Sequence, residues 1–457
     1  MTTTSERSSA GPQVVPGPRG SALLGVLLDV WRDRLGLMTG VTEQYGDAVR
    51  FTMGPKSLYF FNHPEHAKHV LADNHANYHK GIGLSQAKRV LGDGLLTSED
   101  ELWRRQRRTI QPTFQRDRLA RFAGSVAEEA DALVRRWRGL TGGAPVDVMQ
   151  EMTRLSVGVL GKTLLDADLG GHDSLGHAFE VVQDQAMFEM QTLGMVPHAA
   201  PLPRHFRFRK ARRELDRVVS ELVADRQREG YEGRDDMLSR LLVAYRDEPD
   251  EVVRRKRLSD ELITILLAGH ETTAATLSWT WYRVSQDPEI GRRMHAEAVE
   301  VLGDRPPQYE DLHRLRYISM VVQEAMRLYP PVWILTRRAL GPDEIGGYPV
   351  PARADVLICP YTLHRHPGFW DHPERFDPDR FATDKAASRH RYAYIPFGAG
   401  PRFCVGNNLG TMEAVFAAAV VAREFRLDLA PGRNVVAEPM LSLRVKDGLP
   451  MTIRRAD

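Results

Sequence analysis

Phe397-Gly398-Ala399-Gly400-Pro401-Arg402-Phe403-Cys404-Val405-Gly406 is the stretch that decides the fold. One soft ligand, Cys404, stands in a glycine-rich loop with an arginine two residues before it. The aliphatic run from Leu409 through Val421 reads as a helix. A thiolate is a strong donor to a metal, but a lone cysteine cannot build a zinc or iron–sulfur site. It can be the single protein ligand of a haem iron whose other four bonds come from the porphyrin. The glycines let the backbone approach such a macrocycle and bring N–H groups toward the sulfur. Outside such a context, a cysteine in a turn is ordinarily a buried, inert side chain.

Composition narrows the class. The 457 residues carry 62 Lys and Arg against 60 Asp and Glu, a net charge of +2, so no bulk basic charge draws the chain to nucleic acid. With 42% hydrophobic and 27% charged residues, the chain reads as globular. The two cysteines, Cys359 and Cys404, offer no disulfide framework, which fits a reducing cytosol. Cys359 lies in the apolar run Val356-Leu357-Ile358-Cys359-Pro360 and reads as core. Residues 1–20 are rich in Thr, Ser, Gly and Pro and read as a flexible N-terminal segment. The apolar stretch Ser21 to Trp31 is too short to span a bilayer and follows a proline turn, unlike a signal sequence. A cytoplasmic protein with no integral membrane segment is expected.

Short strands are predicted at Ala48–Phe51 and Leu58–Phe61. Ser98-x-x-Glu101 reads as a capping box opening a helix through Arg108. Leu119, Phe122, Val126, Leu133 and Trp137 recur at helical spacing within Arg118–Leu140, and similar patterns cover roughly 148–166, 174–193 and 208–230. The basic run Arg254-Arg255-Lys256-Arg257 reads as a solvated loop. Ser259 is expected to cap the longest helix, with Asp260 and Glu261 in its first turn and Asp287-Pro288 at its end. That helix would span about 40 Å. From Leu262 to Leu267 it is apolar on nearly all sides, as in a helix buried through a domain.

Inside that helix stands Ala268-Gly269-His270-Glu271-Thr272-Thr273. Burying a carboxylate and two hydroxyls costs free energy, and Gly269 weakens the helix by about 1 kcal/mol relative to alanine. Two readings follow: a bend where Thr272 bonds back to the backbone, or a widened turn that makes room for a diatomic ligand beside the Thr272 hydroxyl. Glu324 and Arg327 lie at i, i+3, a spacing most often seen in surface ion pairs. Trp103 and Arg107 share one helix face, while Arg104, Arg105 and Arg108 are expected in solvent. Trp333, Leu335 and Arg337 share one strand face.

The loop resembles the haem-thiolate signature Phe-x-x-Gly-x-Arg-x-Cys-x-Gly of the cytochrome P450 family, matching Phe397, Gly400, Arg402, Cys404 and Gly406 at every specified position. Ala268 to Thr272 resembles the family's oxygen-activation motif, Glu324-x-x-Arg327 with Pro373-Glu374-Arg375-Phe376 its buried Glu–Arg–Arg network, and Trp103-x-x-x-Arg107 its propionate-binding pair. The resemblance spans about Pro16 to Arg444. It implies a mainly α fold with small β-sheets, the cytochrome P450 fold, as one haem-binding monooxygenase domain over 21–457. It implies haem b (iron protoporphyrin IX) with Cys404 as axial ligand of the iron. Arg402, Trp103, Arg107 and Arg337 would meet the propionates, with Arg338 pointing away if Arg337 points inward. Glu271 and Thr272 would be the acid–alcohol pair that delivers protons for O–O cleavage. Glu324, Arg327 and Arg375 would hold the region behind the haem loop.

The same resemblance implies hydroxylation or epoxidation with O2 and electrons from NAD(P)H. A separate ferredoxin and ferredoxin reductase would deliver them, since no flavin-binding segment follows the cysteine helix. Arg389, His390, Arg391 and Arg105 would suit an acidic partner, and a monomer is expected. By position in the family, Ile263, Leu267, Ala268, Val332, Ile334, Leu335 and Leu441 line the pocket, with Met187, Met190 and Met195 as flexible fillers. The pocket segments cluster no basic side chains, which favours a lipophilic, mostly uncharged substrate such as a terpenoid, a polyketide or another secondary metabolite. Two alternatives stay open: oxidative coupling or desaturation on the same fold, and a non-catalytic haem protein that binds a ligand.

Overall fold

The computed structural model describes residues 14–456 except 19, 21–24, 54–55 and 170–173. Much of the N-terminal segment and part of the apolar stretch after it therefore lie outside the described residues. Within that segment Val15 is nevertheless buried, and the Pro16 carbonyl accepts the Arg50 N–H at 2.7 Å. Packed structure thus begins before residue 20. The chain is mainly α with small sheets, and it divides into two compact units.

The smaller unit takes the residues up to Ile82 together with Ile334–Asp371 and His390–Phe403. Its frame is a five-stranded sheet, in the order Ala48–Met53, Lys56–Phe61, Asp355–Ile358, Leu335–Ala339, Tyr78–Lys80. Only the Lys56–Phe61 and Asp355–Ile358 pair is parallel. Asp355–Ile358 is buried along its whole length, and after Asp355 it reads as an apolar run, Val356-Leu357-Ile358, with no alternation. Phe61, Val70, Val356, Ile358 and Leu363 form the core beside it. Cys359 closes that strand fully buried, and burial pushes its thiol up to about 11.

The larger unit takes Gly83–Trp333, His372–Arg389 and the chain from Cys404 onward. Helices dominate it, among them Asp100–Ile110, Arg116–Arg138, Val148–Leu160, Ser174–Gln191, Pro203–Glu229, Arg316–Leu328 and Asn407–Glu424. The longest runs from Glu251 to Gln286, 36 residues or about 54 Å. Trp279, Trp281 and Leu277 of that helix are buried, with the Trp279 ring stacked 3.9 Å from Tyr329. No described helix is long and apolar enough to cross a membrane.

Three local expectations are corrected. The long helix starts eight residues before Ser259, because the Asp250 carboxylate accepts the N–H groups of Val252 and Val253. The basic run is therefore helical: Arg255 pairs with Glu251 at 2.6 Å, Lys256 with Asp260 and Arg257 with Glu248. Ser259 is buried and donates to Asp216 Oδ1 at 2.5 Å, while Asp260 and Glu261 accept loop N–H groups from Asp93 and Leu95. Ser98 does not cap its helix either. Glu99 occupies the cap position, and Ser98 instead donates to Gln106 Oε1 at 2.5 Å.

Candidate active site

In the larger unit, Cys404 lies deep in the fold yet keeps exposed surface, so it opens on interior space and not on bulk solvent. Burial pushes its thiol up, while the Gly406 N–H and the Arg107 charge pull it back. Arg107 shows the reciprocal effect, lowered by burial and raised by Cys404. It projects from Asp100–Ile110, where its Nε donates to Gln111 Oε1 at 3.1 Å. Trp103, one turn earlier, is half-buried; Arg104 and Arg108 lie outward against Glu101. Arg105 is bound to the Ala244 carbonyl and lies over the Tyr245 ring. Phe114 stands where a side chain at Gly406 would meet it, 3.5 Å away, so the end of that helical segment adjoins the loop after the cysteine.

The long helix faces the cysteine helix Asn407–Glu424 at Thr273, whose Oγ1 lies 3.6 Å from where a Gly410 side chain would begin. Along this otherwise buried stretch, Ala268 is exposed and Gly269 and Thr272 are half-buried, so one face is open. No widened turn is present. The helix is unbroken, and Thr272 Oγ1 donates to the Ala268 carbonyl at 2.8 Å, the back-bonding alternative. Gly269 has another use: the Leu160 side chain packs where a Cβ would stand.

Glu271 is turned into the protein. Ser442 donates to its Oε1 at 2.6 Å and Gln183 also bonds to it. Burial pushes its carboxyl up to about 7, against the pull of those bonds and of the Arg444 charge. His270 beside it is held by the Leu266 carbonyl, and burial brings it down to about 4. Glu413, on the cysteine helix, is another buried carboxyl, raised by burial to about 8 against the pull of Ser156.

Glu324 and Arg327 are fully buried and bidentate, at 2.7 and 2.8 Å. The third member is Arg380, whose Nε donates to Glu324 Oε1 at 3.1 Å. Arg375 is corrected accordingly: its side chain is exposed and only its carbonyl takes part, accepting from Arg327 and Arg380. Within this stretch Arg-Phe occurs twice, at 375–376 and 380–381, and the second arginine is the buried one.

In the smaller unit, Arg338 is spent on Asp355, with contacts of 2.8 to 3.1 Å, while Arg337 is buried. The cysteine loop's Phe397 and Phe403 rings meet at 6.2 Å, and Arg402 is half-buried beside them in sequence. His390 pairs with Glu65 at 2.7 Å and Arg391 is exposed. Ile334 and Leu335 are half-buried here. In the larger unit Ile263, Leu267 and Met187 are buried, Val332 and Leu441 half-buried, and Met190 lies against Gly83. Met195 is exposed and fills no pocket. Arg389 lies over the Phe381 ring and donates to the Arg380 carbonyl.

Ser442, Gln183, Arg380 and Glu413 are the site and support residues that no motif flagged. Gln183 and Glu413 did carry one signal, a polar residue inside an apolar helical pattern. Among the described residues no group of three or more His, Cys, Asp or Glu is placed to hold a metal. The open Cys404, the Arg107 charge beside it, the N–H bond to the sulfur and the open helix face at Ala268 together fit a planar macrocycle bound through one thiolate.

Comparison with known proteins agrees. The sequence model of the family described as Cytochrome P450 matches residues 15–450, and the chain belongs to that family. It is similar to cyclooctatin synthase of Streptomyces melanosporofaciens, 35% identical across 93% of this chain and 92% of that protein. It is also similar to cyclooctat-9-en-7-ol 5-monooxygenase of the same organism, 34% identical over 94% of each. Pentalenene oxygenase of Streptomyces avermitilis is 31% identical over 92% of each. The chain is thus a haem- and O2-dependent monooxygenase, an oxidoreductase that takes electrons from a redox partner.

Proposed function

We propose that this enzyme inserts one atom of O2 into a lipophilic alkene or alkenol of terpenoid type, by hydroxylation or epoxidation. A ferredoxin and its NAD(P)H-dependent reductase supply the electrons. The substrate class is supported by relatives named for cyclooctat-9-en-7-ol and pentalenene. The apolar Ile263, Leu267 and Ala268 on the long helix suit such a molecule. The observation that supports the site assignment is that Cys404, in the loop before Asn407–Glu424, and the Ala268–Thr272 face of the helix that packs on Asn407–Glu424 both keep open surface in an otherwise buried core.

When bound, the haem supplies O2 activation, and Cys404, Arg107, Trp103 and Gly406 of the larger unit would hold it. Cys404 presents its sulfur as the ligand, and the Gly406 N–H offsets charge on it. Glu271, poised near neutrality, holds a proton at a buried oxygen and can release it at the working pH. Thr272 offers a hydroxyl on the open face one residue on. Glu324, Arg327 and Arg380 fix the chain behind the site.

Two measurements test this reading. The ferrous–CO complex is expected to show the red-shifted Soret band of a thiolate-ligated haem, absent in Cys404→Ser and intact in Cys359→Ser. Reconstituted with ferredoxin and reductase, the enzyme is expected to oxygenate cyclic terpene alkenes. Retention of the band in Cys404→Ser would overturn the ligand assignment, and turnover confined to charged, polar substrates would overturn the substrate class.

A further inference from the structure

We propose that Ser442, seconded by Gln183, is a positioning residue for the reaction, holding the Glu271 carboxyl in the orientation and proton balance that delivery requires. The proposal rests on the proton-delivery reading of Glu271.

Ser442 is buried in the turn between the strands Ala437–Pro439 and Leu443–Val445. That turn is pinned on every side. Met440 N–H donates to the Ser442 carbonyl at 2.9 Å and Trp333 Nε1 to the Met440 carbonyl at 2.9 Å. Leu443 N–H donates to the Pro331 carbonyl at 2.9 Å, and Trp279 Nε1 to the Leu443 carbonyl at 2.8 Å. Trp279 belongs to the same helix as Glu271. The turn is therefore registered to the long helix twice, once through Trp279 and once through Ser442 Oγ. Such a hydroxyl arrives with little freedom left to lose, which is the condition for fixing a partner's geometry.

Gln183, from Ser174–Gln191, approaches the same carboxyl and is buried, and its Oε1 has no other bond. An amide suits both states of an acid: its NH2 donates to the carboxylate, and its oxygen accepts from the protonated form. No cation pairs with Glu271 among the described residues. The other groups facing it are Arg444, committed to Glu438 at 2.7 Å, and Glu180, which is exposed. His270 precedes it on its own helix and is occupied by the Leu266 carbonyl. Neutral donors thus set how readily this carboxyl gives up its proton, and Ser442 makes a short bond to it, at 2.6 Å.

The test is an infrared pH titration of the haem-loaded protein, run beside the pH profile of product formed per NAD(P)H consumed. The C=O stretch of a protonated buried carboxyl that is lost in Glu271→Gln marks Glu271. Its wild-type midpoint is expected near pH 7. Removing a donor to the carboxylate disfavours the charged form, so Ser442→Ala is expected to move the midpoint, and the coupling profile with it, up by about one pH unit. Ser442→Thr keeps a hydroxyl and is expected to restore both. Should Ser442→Ala fail to load haem, Gln183→Met removes the other donor and carries the same expectation. A band and profile unmoved in Ser442→Ala overturn the positioning role while leaving the reading of Glu271 intact. A coupling profile unchanged in Glu271→Gln overturns that reading itself.

Discussion

Glu324 and Glu271 are two carboxylates buried in the same unit with opposite company. Glu324 meets Arg327 through both oxygens, Arg380 through one, and the Asp377 N–H besides. Glu271 meets a hydroxyl and an amide, with no cation in contact among the described residues. A buried charge is tolerated when paired, and otherwise the group becomes a reluctant acid. The first arrangement makes a fixed strut. The second makes a group whose proton is easily gained and lost near neutrality. Burial alone therefore does not separate structure from chemistry in this molecule, whereas the charge of the neighbours does.

The hardest test of that contrast is Arg327→Ala, which strands Glu324 and is expected to cost about 3–5 kcal/mol. Haem-loaded yield and thermal midpoint report it, and normal values would reduce the network to a dispensable pair. Next is Glu271→Gln. The folded carboxyl titrates near 7 against 4.5 for the ordinary group, so the folded state binds the extra proton between those values. Stability from this group is therefore present below about pH 4.5 and falls as pH rises to 7, by up to about 3 kcal/mol. A neutral amide escapes that loss. Relative to wild type, Glu271→Gln is expected to gain stability on going from pH 5 to pH 8, followed by denaturant midpoints, and Glu413→Gln to do likewise. A pH-independent difference would break the contrast.

Arg380→Ala is smaller, about 1.5–3 kcal/mol for one bond to a charged group, whereas Arg375→Ala is expected within about 0.5 kcal/mol of wild type. Equal losses in the two would return the third place to Arg375. Smallest in stability is Thr272→Ala, expected to cost under about 1 kcal/mol. Its signature lies elsewhere: less product per NAD(P)H and more hydrogen peroxide, with Thr273→Ala, turned about 100° away, as control. Unchanged coupling would leave Thr272 as a back-bonded helix residue.

What the sequence made legible was whatever depends on near neighbours in the chain. The cysteine loop, the helical spacing of Arg116–Arg138 and the paired strands Ala48–Met53 and Lys56–Phe61 all follow from local pattern. The start of the long helix did not, because Asp250 and Ser259 are both competent caps and only packing decides between them. Ser259 is already spoken for by Asp216, on another helix. Arg375 and Arg380 are likewise indistinguishable by motif, since each precedes a phenylalanine. The bond from Ser442 to Glu271 was out of reach: 171 residues separate the two, and only the fold closes that gap.

The two inner glycines of the cysteine loop set different terms for change. Both have left-handed backbone, φ +73° at Gly398 and +67° at Gly400. Around Gly398 there is open space, while a Cβ at Gly400 would lie 1.8 Å from the Leu71 carbonyl oxygen. Asparagine or aspartate, which tolerate that backbone, are therefore admissible at 398, and no side chain at all is admissible at 400. In a saturation library of this loop the survivors would be unevenly spread, with a short polar repertoire at one glycine and a single letter two positions on.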